Sequence, residues 1–287
     1  MNGWKLNSAL LALLAILAAI IGGVFDKESL QNNIPPVIAN FDAKSITRIA
    51  IHEGERECEL SRQPESQHWQ LQSPFEAAAA SYSVSKLLGL AERQDYQVIT
   101  QHTQDLAQYG LAPASIVIDL GPHRLAWGGL NSLDRRRYVQ VDSRVLLIDE
   151  DIFPLLQDCP KNLISKALLL PGQRLLSLQL PSLRAFEENG QWRTLPPRPS
   201  NWSQDQLHHW LDDWRSAQAL QVAKLAPEQD SSPALYQFDI QVQDQVLHFS
   251  ARRINGQIWW LCPTRGLRYL VFQDSADKLL HPYAEDS

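Results

Sequence analysis

The chain has 287 residues, enough for one large domain or two ordinary ones, and its 44% hydrophobic and 20% charged content excludes an intrinsically disordered chain. With 26 basic and 32 acidic residues the formal net charge is -6, so no basic face for phosphate backbones is expected and nucleic acid is excluded as a partner. The richest basic cluster, Arg135, Arg136 and Arg137, sits between Asp134 and Asp142 and reads as a solvated turn.

Residues 1–5 form a short basic start, and residues 6–25, LNSALLALLAILAAIIGGVF, carry no charge. From Ser8 to Phe25 a helix at about 1.5 Å per residue reaches about 27 Å, close to the roughly 30 Å hydrocarbon core of a bilayer. A transmembrane helix over 6–25 is therefore expected, with the lipid bilayer as its partner. Lys5 precedes this segment while Asp26 and Glu28 follow it, so the N-terminus is expected in the cytoplasm and the bulk of the chain in the periplasm of a bacterial inner membrane. A cleaved signal peptide is the rival; its apolar stretch is usually about 7–15 residues and ends in a small-x-small site, which is not found before Asp26. Residues 26–40 then read as an extended linker, because Pro35 and Pro36 cannot donate to a ladder.

Two copies of one order of features follow, offset by about 122 to 124 residues. In the first, residues 41–158, an alternating strand over 46–51 precedes a tryptophan turn from Trp69 to Pro74 and a helix over 86–93. Strands over 115–120, 124–127, 137–141 and 145–148 close it. A connector, 159–173, leads to the second copy, 174–283. There a strand over 176–180, a turn from Trp192 to Pro197, a helix over 207–219 and strands over 235–242, 245–251, 257–261 and 268–272 repeat the order. Leu87, Leu90 and Gln94 on the first helix align with Leu211, Trp214 and Gln218 on the second, so each helix has one apolar stripe. The expected fold class is α+β: two tandem repeats, each an antiparallel sheet of strand, helix and meander with the helix on one face. The connector is apolar over 163–170, so the halves are expected to share an interface.

Cys58, Cys159 and Cys262 lie far apart with no CxxC pair, which excludes a zinc cluster or a thioredoxin-like motif and supports no disulfide framework. Each is expected as a small core residue, with at least one thiol free or paired between chains because the count is odd. The motif Ser83-Val-Ser-Lys86 matches S-x-x-K, but the K-T-G partner of acylating serine enzymes is missing. The acidic run Asp149, Glu150 and Asp151 is read as the start of a helix rather than a calcium loop. His208 and His209 are adjacent on a helix and diverge by about 100°. His52, His68, His102, His123 and His248 stand singly in sequence. No cofactor or metal is expected.

Nine tryptophans invite a different reading, since aromatic platforms bind partners. Trp69 and Trp192 hold equivalent repeat positions and are read as turn packing. Trp259 and Trp260 on one strand must point to opposite faces. Together with Trp202, Trp210 and Trp214 on and near the second helix, they are the proposed partner surface, against which stands simple contact with the meander.

The W-x-L-x-x-P turn, the helix with Leu87, Leu88 and Leu90, the run from Tyr109 through Gly110 and Leu111 to Pro113, and the Arg137-Tyr138-Val139 strand together resemble the domain of unknown function family 4340 (DUF4340). The resemblance spans most of residues 41–280; the second copy lacks the YGL-x-P run, having Ala226-Pro227 and Ser232-Pro233 there. It implies one N-terminal membrane helix, a domain outside the cytoplasm and proximity to ABC-type transport systems, with no catalytic set to carry over. The expected function is a non-catalytic binding or scaffold protein with envelope or transporter proteins as partners. The alternative is an envelope hydrolase acting on cell-wall or glycan material.

Overall fold

A computed structural model of the chain describes residues 38, 42–99, 105–226, 233–243 and 245–283. The expected anchor, the linker apart from Ile38, His102, Pro227 and Ser232 lie outside these residues. Among the described residues no helix is long and apolar enough to cross a membrane.

The described chain forms two antiparallel sheets with a few short helices. The first copy supplies β1 (Arg48–Glu53), β2 (Arg56–Arg62), β3 (Trp69–Ser73), β4 (Ala77–Ala78), α1 (Ser81–Leu88), β5 (Tyr96–Ile99), β6 (Ile116–Leu120), β7 (His123–Leu130), β8 (Arg136–Val141), β9 (Arg144–Asp149) and α2 (Phe153–Leu156). Their sheet runs β4-β3-β2-β1-β6-β7-β8-β9-β5. From the second copy come β10 (Leu175–Gln179), β11 (Arg184–Glu188), β12 (Gln191–Leu195), α3 (Gln204–Ser216), β13 (Gln221–Lys224), β14 (Tyr236–Val242), β15 (Val246–Ile254), β16 (Gln257–Cys262), β17 (Leu267–Leu270) and α4 (Gln273–Leu280). Here the order is β12-β11-β10-β14-β15-β16-β17-β13, which is the first order without β4.

Period-two patterning makes these strands. On β6, Ile116, Ile118 and Leu120 are buried while Val117 and Asp119 are half-exposed; on β14, Phe238, Ile240 and Val242 turn inward. The β11–β12 hairpin closes on Asn189-Gly190, both at positive φ (53° and 76°), the pairing a two-residue hairpin loop selects. Five strands lie outside the sequence expectation, β2, β4, β5, β11 and β13, as does α4, and the two expected tryptophan turns are the strands β3 and β12, each ending just before a proline. The first helix starts earlier than expected, at Ser81, and tightens into a 3-10 turn over Gly89–Glu92. The second begins at Gln204 because Ser203 and Gln206 form a capping box, each side chain satisfying the other's backbone N–H.

The helices press onto the sheets. Leu207, Trp210, Leu211 and Trp214 of α3 are buried, and the Trp214 ring stacks on Trp260 of β16 at 6.2 Å. Val84 and Leu87 of α1 enter the same apolar interior, which runs through both copies. The connector explains that continuity. Ala80 N–H donates to Leu163 O (2.7 Å) and Ser165 N–H to Ala78 O (2.8 Å), so the connector lies along the β4 edge. Two residues on, Leu168 N–H donates to Ala217 O and Ala219 N–H to Lys166 O, which joins it to the chain entering β13. One segment thus covers the facing edge of each sheet, with Leu163, Ile164, Leu168 and Leu169 buried beneath it. The shared interface expected from its apolar residues is present.

Two expectations require correction. Cys58 on β2 and Cys159 at the start of the connector form a disulfide, with Cα atoms 6.1 Å apart at a sequence separation of 101. All three cysteines are buried as expected, and Cys262 is the free thiol. The pairing joins a strand to a turn of distant sequence, so spacing alone carried no sign of it. The basic cluster is not uniformly a solvated turn either. Arg135 occupies the turn at φ 58°, whereas Arg136 and Arg137 lie on β8 and pair with Asp149 and Glu150. The Arg137 guanidinium sits over the Phe153 ring at 3.5 Å and donates to Gly128 O (2.8 Å).

Candidate functional site

The tryptophan stripe on α3 points into the protein. Trp210 and Trp214 are buried, and both indole N–H groups donate to Leu279 O of α4, at 2.9 and 3.2 Å. Trp260 is fully buried and donates to the Tyr236 hydroxyl (2.9 Å). Trp259 does face the opposite side of the sheet from Trp260, as strand geometry requires. It is nevertheless buried, in a small cluster with Leu261 and Leu270, and Arg268 lies over its ring at 4.4 Å. Trp202 alone of the five is half-exposed, held edge-on to Tyr283 at 4.6 Å. The proposed partner surface is therefore mostly interior, and contact with the meander and α4 accounts for it. An amphipathic stripe looks the same in sequence whether it meets a sheet or a partner.

The reactive-looking groups are committed to structural partners. Ser83 is buried, and its hydroxyl donates to Asn162 O (2.7 Å), fastening α1 to the connector rather than facing Lys86. Asp151 takes a hydrogen bond from Arg93 (2.6 Å), with Lys86 at 3.7 Å. Asp149 pairs with Arg136 at 3.3 Å. Arg93 also donates to Asp95 at 2.8 and 3.0 Å, and these hydrogen bonds hold the Asp95 carboxyl below its usual range. The acidic run does precede a helix, α2, but arginines neutralise it. His208 and His209 are exposed and diverge. His52 and His248 find carboxylates across strands, Asp119 at 3.3 Å and Asp239 at 2.8 Å, which sequence proximity could not reveal. Among the described residues no group of three or more histidine, cysteine or acidic side chains could hold a metal.

The YGL-x-P run has a packing explanation. Tyr109 ends a 3-10 turn, Gly110 caps it at φ 65°, and the run lies against a bulge of β7 at Gly128-Gly129. A Cβ on Gly128 would come within 2.3 Å of Tyr109 O and 2.9 Å of Leu111 Cγ, so only glycine lets the two backbones meet. The Tyr109 ring contacts Tyr138 at 4.8 Å.

One concave feature was not legible in sequence. A cleft of about 410 Å³ opens where the two copies meet, between β3 and β4 on one side and β17 with its preceding 3-10 turn (Pro263–Arg265) on the other. Trp69, Gln63, Gln70 and Glu76 form one wall, and Thr264 and Tyr269 belong to the other. Trp69, read as turn packing, is half-buried here, with Arg62 over its ring at 5.1 Å. Its counterpart Trp192 is buried, beneath Arg215 at 5.9 Å.

Over residues 69–247, more than half of its length, the chain matches the family described as Domain of unknown function (DUF4340). The chain belongs to this family. The DUF4340 match runs from the first residue of β3 across the connector into β15, so it takes in part of each copy, the YGL-x-P run and part of one wall of the cleft, from Trp69 onward. No curated protein and no solved structure matches the chain.

Proposed function

We propose that the chain is a single-pass, membrane-anchored scaffold subunit of an envelope or ABC-type transport complex in a bacterial inner membrane. Residues 6–25 are its bilayer span, residues 1–5 remain in the cytoplasm, and the body stands in the periplasm as a duplicated unit of strand, helix and meander. The observation that carries this reading is the buried Cys58–Cys159 disulfide. Such bonds persist in oxidising compartments and are rare in the cytosol, which agrees with the charge asymmetry around the apolar segment. The matching strand orders support the duplication. The non-catalytic part of the reading draws on the structural commitments of Ser83, Asp149, Glu150 and Asp151.

The test is affinity purification of the full-length chain from its native membrane in mild detergent, with crosslinking and mass spectrometry of what accompanies it. Stoichiometric recovery of transporter or other envelope subunits is the expected result. Recovery of the chain alone, even after crosslinking, would contradict the scaffold reading and direct attention to envelope hydrolysis.

A further inference from the structure

We propose that the cleft between the two copies binds a short neutral saccharide, stacked on Trp69 and hydrogen-bonded by Gln63, Gln70 and Thr264. At about 410 Å³ it falls in the range of small-molecule sites, about 300–1,000 Å³, and it lies at a junction between structural units, where such sites concentrate. Its walls come from different sheets but are held in register by the connector, so little ordering is left to pay on binding.

The lining chemistry selects the ligand class. The Gln63 side-chain N–H donates to Gln70 Oε1 (2.7 Å), and the two amides together still carry an acceptor, the Gln63 carbonyl oxygen, and a donor, the Gln70 nitrogen. Thr264 adds a hydroxyl that can do both. Groups that donate and accept together suit sugar hydroxyls, which do the same, while the indole of Trp69 offers a rigid apolar platform for the C–H face of a pyranose. A charged ligand fits less well. Glu76 and Arg265 oppose one another in sign, and Arg265 is occupied by Leu168 O (2.8 Å), Gln173 Oε1 (2.9 Å) and the Tyr269 hydroxyl (3.1 Å). Glu76 is the one carboxylate among the described residues lining the cleft, whereas glycoside hydrolysis commonly uses two, so the site is one for binding rather than cleavage. Saccharide binding in the cleft does not depend on a scaffold role for the chain.

The full-length chain, purified without sugar-based detergent, is titrated with cellobiose, chitobiose and maltose by calorimetry and ligand-observed NMR. At least one disaccharide is expected to bind with a Kd of about 1 mM or tighter. Trp69→Ala, Gln70→Ala and Thr264→Ala are each expected to weaken it about tenfold or more, and His209→Ala, at an exposed position away from the cleft, to leave it unchanged. Should Trp69→Ala not fold, the Gln70 and Thr264 variants decide. No binding of any of the three sugars at about 10 mM, or binding unaffected by Gln70→Ala and Thr264→Ala, overturns the proposal.

Discussion

At the residue scale, the YGL-x-P run and the β7 bulge it meets are packing devices. Gly128 is the clearest, since its α-carbon faces the Tyr109 carbonyl with no room for a methyl group. Gly128→Ala is expected to lower stability by about 1–3 kcal/mol through forced displacement of the YGL turn. Its neighbour is the control, because a Cβ on Gly129 meets nothing closer than 3.5 Å, and Gly129→Ala should lie within about 1 kcal/mol of neutral. Chemical denaturation of the two variants checks the pair; equal losses would remove the packing explanation. The histidines teach the opposite lesson. His52 and His248 looked solitary because their carboxylates are strand neighbours, 67 and 9 residues away. The Cys262 thiol is pushed up by burial, which keeps it protonated and unreactive in the folded chain.

Elements joined by charge give the body an acid limit. The Arg48 guanidinium on β1 donates to Glu59 on β2 at 2.6 and 2.9 Å and depresses the Glu59 carboxyl, as Arg93 does to Asp95 before β5. A carboxyl with a depressed folded value stabilises the fold fully above its unfolded value, about 4, and loses that contribution as pH falls through the folded one. The midpoint of thermal unfolding should therefore hold steady from neutral pH to about 5 and fall below about 4. The double variant Glu59→Gln/Asp95→Asn should flatten part of that fall, modestly, because each pair has one solvent-accessible member, Arg48 and Asp95. An unchanged acid profile in the variant would contradict the assignment. At this scale the sequence was legible where strands alternate cleanly, as in β6 and β14, but the two tryptophan segments expected as turns are the strands β3 and β12. It was opaque at β2 and β11, whose Arg56-Glu57 and Glu187-Glu188 runs hide the period-two pattern. It was opaque also at the short edge strands β5 and β13, of four residues each. The tryptophan stripe of α3 was correctly placed on one face, but patterning does not say what covers that face.

On the scale of the whole molecule, two sheets of one topology share an apolar interior because an apolar connector pairs with the facing edge of each. That the two sheets take their strands in the same order could be read from order and offset. The cleft could not, because its walls are brought together from residues as far as 206 positions apart, Gln63 to Tyr269, by the fold itself. The disulfide escaped for the same reason. Closing a loop of 101 residues, it is worth about 5 kcal/mol in the chain-entropy picture, so the body depends on oxidation for much of its stability. That dependence makes the compartment testable. The decisive measurement is a thiol count on the full-length chain in its native cells: free thiols are trapped at lysis under denaturing conditions, and the remainder are labelled by a mass tag after reduction. One trapped thiol, at Cys262, and two tags, on Cys58 and Cys159, are expected in the membrane fraction. Three trapped thiols, or a chain found in the soluble cytosolic fraction, would contradict an anchored body standing in the periplasm.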